Sequence, residues 1–71
     1  MDSIYIRAVR HYLNMTQDDL GSLLGTSKTS LSLIENGHRP ISSRTQARLL
    51  QIFTPDERFE EFLKNYRKLS K

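Results

Sequence analysis

The residues best suited to chemistry are short polar and basic side chains that crowd the middle of the chain. Hydroxyl, amide and guanidinium groups of this kind form hydrogen bonds and pair with anions. The chain has a net charge of +3, and the segment 27–53 accounts for that excess, because it holds one acidic residue, Glu35, among several basic ones. The basic residues are Lys28, Arg39, Arg44 and Arg48. This distribution predicts that a polyanion approaches the segment.

Two short helices joined by a tight turn are predicted for residues 16–37. Thr16 can cap the first helix by accepting an amide hydrogen bond, and Asp18 and Asp19 in its first turn suit the helix dipole. Gly25 ends this helix, because glycine takes the left-handed backbone without steric cost. The apolar residues recur at helical spacing and share one face: Leu20, Leu23 and Leu24.

The second helix of the pair begins at Thr26 or Ser27, either of which can act as its N-cap. Leu31 and Ile34 supply its apolar side, and the Asn-Gly pair at 36–37 ends it. Its other side presents small polar and basic side chains. Two helices in this arrangement form a helix-turn-helix, whose physical use is to place one helix in a groove of duplex DNA.

Helical patterns also flank this pair, and no strand pattern occurs. A first helix is predicted for about residues 3–14. A loop around Pro40 leads to a fourth helix at about 44–53, which Ser42 or Ser43 can cap. The residues expected to be buried in the first helix are Ile6, Ala8, Val9, Tyr12 and Leu13. Those expected to be buried in the fourth helix are Ala47, Leu50 and one of Leu49 and Ile52.

A fifth helix, at about 55–69, completes the all-α prediction of one domain spanning residues 1–71. Thr54 is its expected N-cap, Pro55 suits the first helical position, and Glu57 completes a capping box. Its apolar residues are Phe59, Phe62, Leu63, Tyr66 and Leu69. A chain of 71 residues cannot easily cover so much apolar surface. Part of it is therefore expected to bind a partner chain, through Phe62, Tyr66 and Leu69.

Composition restricts the other functions open to the chain. Cysteine is absent, and His11 and His38 lack the neighbours that a metal site needs. The sequence has no glycine-rich phosphate loop, catalytic triad or buried carboxylate pair, so we expect no enzymatic activity, no metal or other cofactor and no small-molecule substrate. It also lacks an apolar run of about 18 residues and a signal-peptide pattern, which predicts a cytoplasmic protein that does not enter membranes.

The segment 15–40, MTQDDLGSLLGTSKTSLSLIENGHRP, resembles the helix-turn-helix of phage Cro and repressor proteins. The similarity covers about residues 5–53 and rests chiefly on the Met-Thr-Gln at its start and the Ile-Glu-Asn-Gly near its end. It implies a compact five-helix, lambda-repressor-like domain that binds double-stranded DNA with its third helix.

The resemblance also implies a role for individual residues. Those that would contact base edges are Ser27, Lys28, Thr29, Ser32 and Leu33. Those that would contact phosphates are Gln17, Ser30, Asn36, His38, Arg39 and Arg44. Gln17 would also brace the first side chain of the recognition helix. Leu31 and Ile34 would belong to the core, and Glu35 would tie helix three to a neighbouring element through an arginine.

Several positions depart from the family pattern. Lys28 and Thr29 stand where a pair of glutamines is common, and Gly21 stands where alanine is usual. Lys28 is either a base or phosphate contact or a solvated surface charge. Leu33 occupies a position that often carries a polar side chain reaching a base. Leucine can contact a thymine methyl but reads no donor–acceptor pattern, and the sequence leaves open whether Leu33 is partly buried core or an exposed contact.

Two functions of different classes follow. The first is a small transcriptional regulator, a Cro-like repressor that occupies operator DNA. The alternative is a helix-turn-helix protein that chiefly binds another regulator, as an antirepressor or co-repressor. The possible protein partners are accordingly a second copy of the chain, in a homodimer, or a heterologous repressor.

Overall fold

A computed structural model describes residues 1–70, in which the chain forms helices and no strand. The helices are α1 (Ser3–Tyr12), α2 (Gln17–Leu24), α3 (Lys28–Glu35), α4 (Ser43–Ile52) and α5 (Glu57–Leu69). The predicted all-α, five-helix fold is confirmed for these residues, and α2 and α3 form the helix-turn-helix. The radius of gyration of 11.3 Å matches the ~11 Å expected of a packed chain of this length. Within residues 1–70, no helix is both long and apolar enough to cross a membrane.

Each helix begins at a side chain that accepts the backbone N–H three residues later, which satisfies one of the free donors of the first turn. These N-caps are Asp2, Thr16, Ser27, Ser42 and Asp56. At Thr16 the cap is reciprocal, because its own N–H donates to the Asp19 carboxylate over 3.1 Å. That hydrogen bond holds the pKa of Asp19 below its ordinary value. The start of α2 is therefore fixed by local chemistry alone.

The predicted start of α5 was wrong. Asp56 caps the helix, since its carboxylate accepts the Phe59 N–H over 2.8 Å, and Thr54 and Pro55 lie outside it. Aspartate is a stronger cap than threonine and carries the charge that a helix N-terminus favours. The predicted end of the first helix was also two residues late, because Asn14 has a φ of 57°, in the left-handed region that ends helices.

The core lies where α1 packs against α3 and α5 and where α2 packs against α3 and α4. Phe59 of α5 is fully buried and stands at its centre. The rings of Tyr5, Tyr12 and Phe53 meet it edge to face, with centroids 5.4, 5.3 and 4.8 Å away. The buried apolar residues are Ile6, Ala8, Val9, Leu20, Leu24, Leu31, Ile34, Leu49, Phe53, Phe59 and Leu63.

The prediction for the buried face of α4 was wrong at two positions. Leu49 is fully buried, whereas Leu50 is 53% exposed and Ala47 is also exposed. The core face of α4 runs through Leu49 and Phe53, and each successive residue turns by about 100° around a helix. Leu50 and Ile52 therefore fall on opposite flanks of this face, and Ile52 is 38% exposed.

Three other predicted core residues are only partly covered. Leu23 shares a helix with Leu20 and Leu24 but is 40% exposed, since it lies on the edge of their face. Tyr12 and Leu13 are half-buried and pack against the core from the end of α1. The exposure of these three side chains depends on how each helix is oriented against the core, and the sequence alone does not show that orientation.

The turn between α2 and α3 depends on two glycines. Gly25 takes a φ of 71°, as predicted for a helix C-terminus, and the next N–H, of Thr26, donates to the Gly21 carbonyl over 2.9 Å. A Cβ on Gly21 would lie 2.8 Å from the Thr26 carbonyl oxygen, closer than real contacts allow. The absence of a side chain at Gly21 thus lets the turn fold tightly against α2.

Candidate nucleic-acid interface

A buried ion pair fixes the end of α3 against α1. The Arg10 guanidinium makes two parallel hydrogen bonds to the Glu35 carboxylate, Nε to Oε2 over 2.8 Å and Nη2 to Oε1 over 2.9 Å. The Glu35 side chain is only 2% exposed and that of Arg10 15% exposed. The predicted tie of Glu35 to an arginine is confirmed, and the planar, two-point contact restrains the orientation of α3 as well as its distance from α1.

Gln17, in the first turn of α2, joins the same network. Its side-chain amide donates to Glu35 Oε1 over 3.3 Å, and Arg10 Nη1 donates to the Met15 carbonyl over 3.2 Å. Three consecutive elements, α1, the α1–α2 loop and α2, are thereby tied to α3. Gln17 positions α3 through Glu35, and its predicted phosphate contact stays a prediction.

The inner face of α3 belongs to the core, as predicted. Leu31 is fully buried and Ile34 is 6% exposed. The side chains on the outer face line a shallow groove of about 260 Å³ together with Gln17 of α2, and they are Lys28, Thr29, Ser32 and Leu33. Four of the five predicted base contacts therefore come together on one surface. The fifth, Ser27, is exposed at the start of α3, where its hydroxyl accepts the Ser30 N–H over 3.1 Å.

Leu33 is half-buried without belonging to the core. Among residues 1–70, the partly buried apolar side chains that pack on the core are Tyr5, Tyr12, Leu13, Met15, Ile41, Phe62 and Tyr66. Leu33 instead lines the groove of α3. It is an apolar group on the outer, otherwise polar surface of the helix.

The predicted phosphate contacts other than Gln17 lie along the chain between the middle of α3 and the start of α4. Arg39 Nη1 donates to the Ser30 hydroxyl over 2.9 Å, so the loop arginine already reaches back to the helix. Asn36 Nδ2 lies 3.5 Å from the Ser32 hydroxyl, and His38 and Arg44 are exposed. Their contacts with phosphate stay predictions.

The basic side chains of α3, the following loop and α4 form no ion pair with a carboxylate of the described residues. In the part of the chain that the structure describes, the two ion pairs are Arg10–Glu35 and Asp2–Arg67. Neither involves the basic residues of α3, the following loop or α4, which are Lys28, Arg39, Arg44 and Arg48. Their positive charge is therefore available to an anion.

Two arginines matter more for positioning than the sequence indicated. Arg48 Nε donates to the Leu23 carbonyl over 3.1 Å, satisfying one of the last carbonyls of α2. Arg10 lies 25 residues from Glu35, and no rule of local spacing links residues so far apart. The pattern of charges within a single helix indicates neither contact.

The three predicted partner contacts on α5 separate into two groups. Phe62 and Tyr66 are half-buried and pack against α1, where the Phe62 ring is tilted against Tyr12 and the Tyr66 ring meets His11 edge to face, with centroids 5.2 and 5.4 Å apart. Leu69 does not join them and is 86% exposed. The association of these residues with a partner chain stays a prediction.

Comparison with known proteins identifies the domain. The family model described as a helix-turn-helix domain matches residues 3–67, which include all five helices but the last two residues of α5. No curated protein and no solved structure matches the chain significantly. The chain therefore belongs to the helix-turn-helix domain family, a family of DNA-binding regulators.

Proposed function

We propose that this chain is a small Cro-type transcriptional repressor that inserts α3 into the major groove of operator DNA. The observation that carries the proposal is the outer face of α3. It combines hydrogen-bonding side chains with the Lys28 ammonium and adjoins the loop arginine Arg39, and no carboxylate of the described residues neutralises either charge.

The size of α3 suits the major groove. An α-helix with its side chains is about 10–12 Å in diameter, and the major groove of B-DNA is about 12 Å wide. Because serine and threonine are short, the helix backbone can approach the base edges closely. Lys28 is the one long side chain in the first turn and can donate to guanine O6 and N7.

The side chains around α3 are suited to hold it in register. In this proposal the side chains that face the bases are Ser27, Lys28, Thr29, Ser32 and Leu33. Those that bind the phosphates are Gln17, Ser30, Asn36, His38, Arg39 and Arg44. The Arg39–Ser30 hydrogen bond supports the arrangement, since it holds a guanidinium beside the middle of α3. Phosphate contacts supply affinity and orientation, and base contacts supply sequence preference.

Repression follows from occupation of the operator. Two copies related by a two-fold axis would place their recognition helices about 34 Å apart, one turn of DNA, on a palindromic site. A repressor bound in this way excludes polymerase from an overlapping promoter. We propose the homodimer as the DNA-bound form of the chain.

The proposal is tested with a duplex selected from a random library by the wild-type chain. Lys28→Ala should weaken binding to this duplex by about 1–3 kcal/mol and relax the preference at one base pair. Arg44→Ala should weaken binding to the selected and to unrelated duplexes alike, and should lower the salt slope by about one unit.

Matched controls come from α5, where Lys64 and Arg58 are exposed and lie outside the proposed interface. Lys64→Ala and Arg58→Ala should bind like the wild type. The proposal fails if the wild type selects no sequence, or if the variants of α3 and α4 behave like these controls.

The alternative function, binding to another regulator, has one specific observation in its favour. Leu69 is 86% exposed at the end of α5, and burial of this side chain against a partner would remove apolar surface from water. Such a complex would hold its affinity as salt is raised, whereas binding to phosphates weakens steeply. Leu69→Ser should weaken a complex of this kind, whereas Lys28→Ala should leave it unchanged.

A further inference from the structure

Leu33 gives the proposed interface an apolar element where the neighbouring side chains are polar. We propose that Leu33 recognises the C5-methyl group of a pyrimidine in the major groove, so that the chain prefers DNA carrying that methyl group at one position of each half-site. The inference rests on the proposed function, because it requires the outer face of α3 to lie in the groove.

The placement of Leu33 is the first support. It is half-buried, yet it lines the groove between α2 and α3 with Gln17, Lys28, Thr29 and Ser32. Thr29 and Leu33 are four residues apart and therefore lie one above the other on the helix. The Thr29 methyl group and the Leu33 side chain can thus form a continuous apolar strip beside the Lys28–Ser32 column.

The chemistry of the DNA major groove is the second support. Leucine has no hydrogen-bond donor or acceptor, so it cannot read the polar pattern of a base pair. The apolar group at the major-groove edge of a standard base is the C5-methyl of thymine, and 5-methylcytosine carries the same group. Uracil and cytosine differ from these bases at this position by the methyl group alone.

The short neighbours of Leu33 strengthen the argument. The side chains of Thr29 and Ser32 are shorter than that of Leu33. They therefore leave the end of the Leu33 side chain free to touch the floor of the DNA major groove. The methyl group would be removed from water against a side chain on a helix that the Arg10–Glu35 pair already holds in place. Burial of one methyl group contributes ~0.8 kcal/mol, which corresponds to about a fourfold change in affinity.

The experiment replaces each thymine of the selected duplex with uracil, one at a time, and measures the dissociation constant of the wild type. We expect affinity to fall about fourfold at one position in each half-site and to change little elsewhere. In Leu33→Ala, the thymine-to-uracil ratio at that position should fall to about one. The ratio does not depend on the folded fraction of the variant, because both duplexes are measured with the same preparation.

A second pair of duplexes separates the two sources of the methyl group. Cytosine and 5-methylcytosine, each paired with guanine, replace the sensitive thymine. An equal, about fourfold gain from 5-methylcytosine supports recognition of the methyl group on either base. A thymine effect without a 5-methylcytosine effect supports thymine as the natural ligand.

Leu50→Ala is the matched control, since Leu50 is 53% exposed on α4 and should keep the wild-type ratio. The inference is overturned if no thymine is sensitive to uracil, or if Leu33→Ala remains as sensitive as the wild type. Those results differ from failure of the proposed function, in which the wild type selects no duplex at all.

Discussion

Replacement of Arg10 by methionine tests how strongly the buried ion pair fixes α3. The change keeps much of the volume of the side chain but leaves the Glu35 carboxylate, 2% exposed, with Gln17 as its remaining donor at 3.3 Å. Removing one partner of a buried ion pair costs about 3–5 kcal/mol. A domain of this length has a free energy of unfolding of about 4–10 kcal/mol, so Arg10→Met should lose between about a third of it and all of it.

The measurement is urea denaturation followed by far-ultraviolet circular dichroism. Arg67→Met is the matched control, because it breaks an ion pair of the same type with Asp2 in which the side chains are 41% and 56% exposed. Exposed pairs contribute about 0.2–1 kcal/mol. Equal losses in the two variants, or a loss below about 1 kcal/mol for Arg10→Met, would refute the role assigned to the buried pair.

Three further predictions concern stability. Leu31→Ala should cost about 2–5 kcal/mol because Leu31 is fully buried, whereas Leu50→Ala should stay within about 0.5 kcal/mol; thermal unfolding of the two variants checks both. Gly21→Ala should lower the melting temperature, although alanine usually favours helices, because its Cβ would lie 2.8 Å from a backbone carbonyl oxygen. A hydrogen bond from Arg67 holds the pKa of Asp2 below its ordinary value of 3.8, so the contribution of this pair is present above pH 3.8 and is lost as pH falls through the folded-state pKa. Asp2→Asn should therefore reduce stability by about 0.2–1 kcal/mol at neutral pH and by less in acid, as pH-dependent denaturation would show.

The beginnings of most helices could be predicted because an N-cap is a contact between residues three apart. Thr16 caps α2 as expected, and Ser27 and Ser42 were among the alternatives that the sequence offered. The start of α5 was predicted wrongly, since Thr54 was expected to cap it and Asp56, which can also cap a helix, lies two residues later. Asp56 begins the helix because it is the stronger N-cap and because Phe59, whose N–H it accepts, packs in the core.

The parts that could not be predicted depend on contacts between distant residues. Periodicity shows that α4 has an apolar side but not the direction from which the core approaches, so Leu49 and Leu50 could not be distinguished. The pairing of Arg10 with Glu35 likewise depends on the packing of α1 against α3. The polar part of the outer face of α3 was predictable, because Leu31 and Ile34 face the core and identify the residues that face away, but the sequence left the position of Leu33 open.

The central claim is that α3 and the basic residues after it bind DNA. A titration of the ¹⁵N-labelled chain with the selected duplex, followed by amide chemical shifts in two-dimensional NMR spectra, tests it most directly. We predict the largest changes in residues 27–33 and 36–44 and small changes in residues 57–69 of α5. Changes concentrated in α5, with α3 unaffected, would contradict the account.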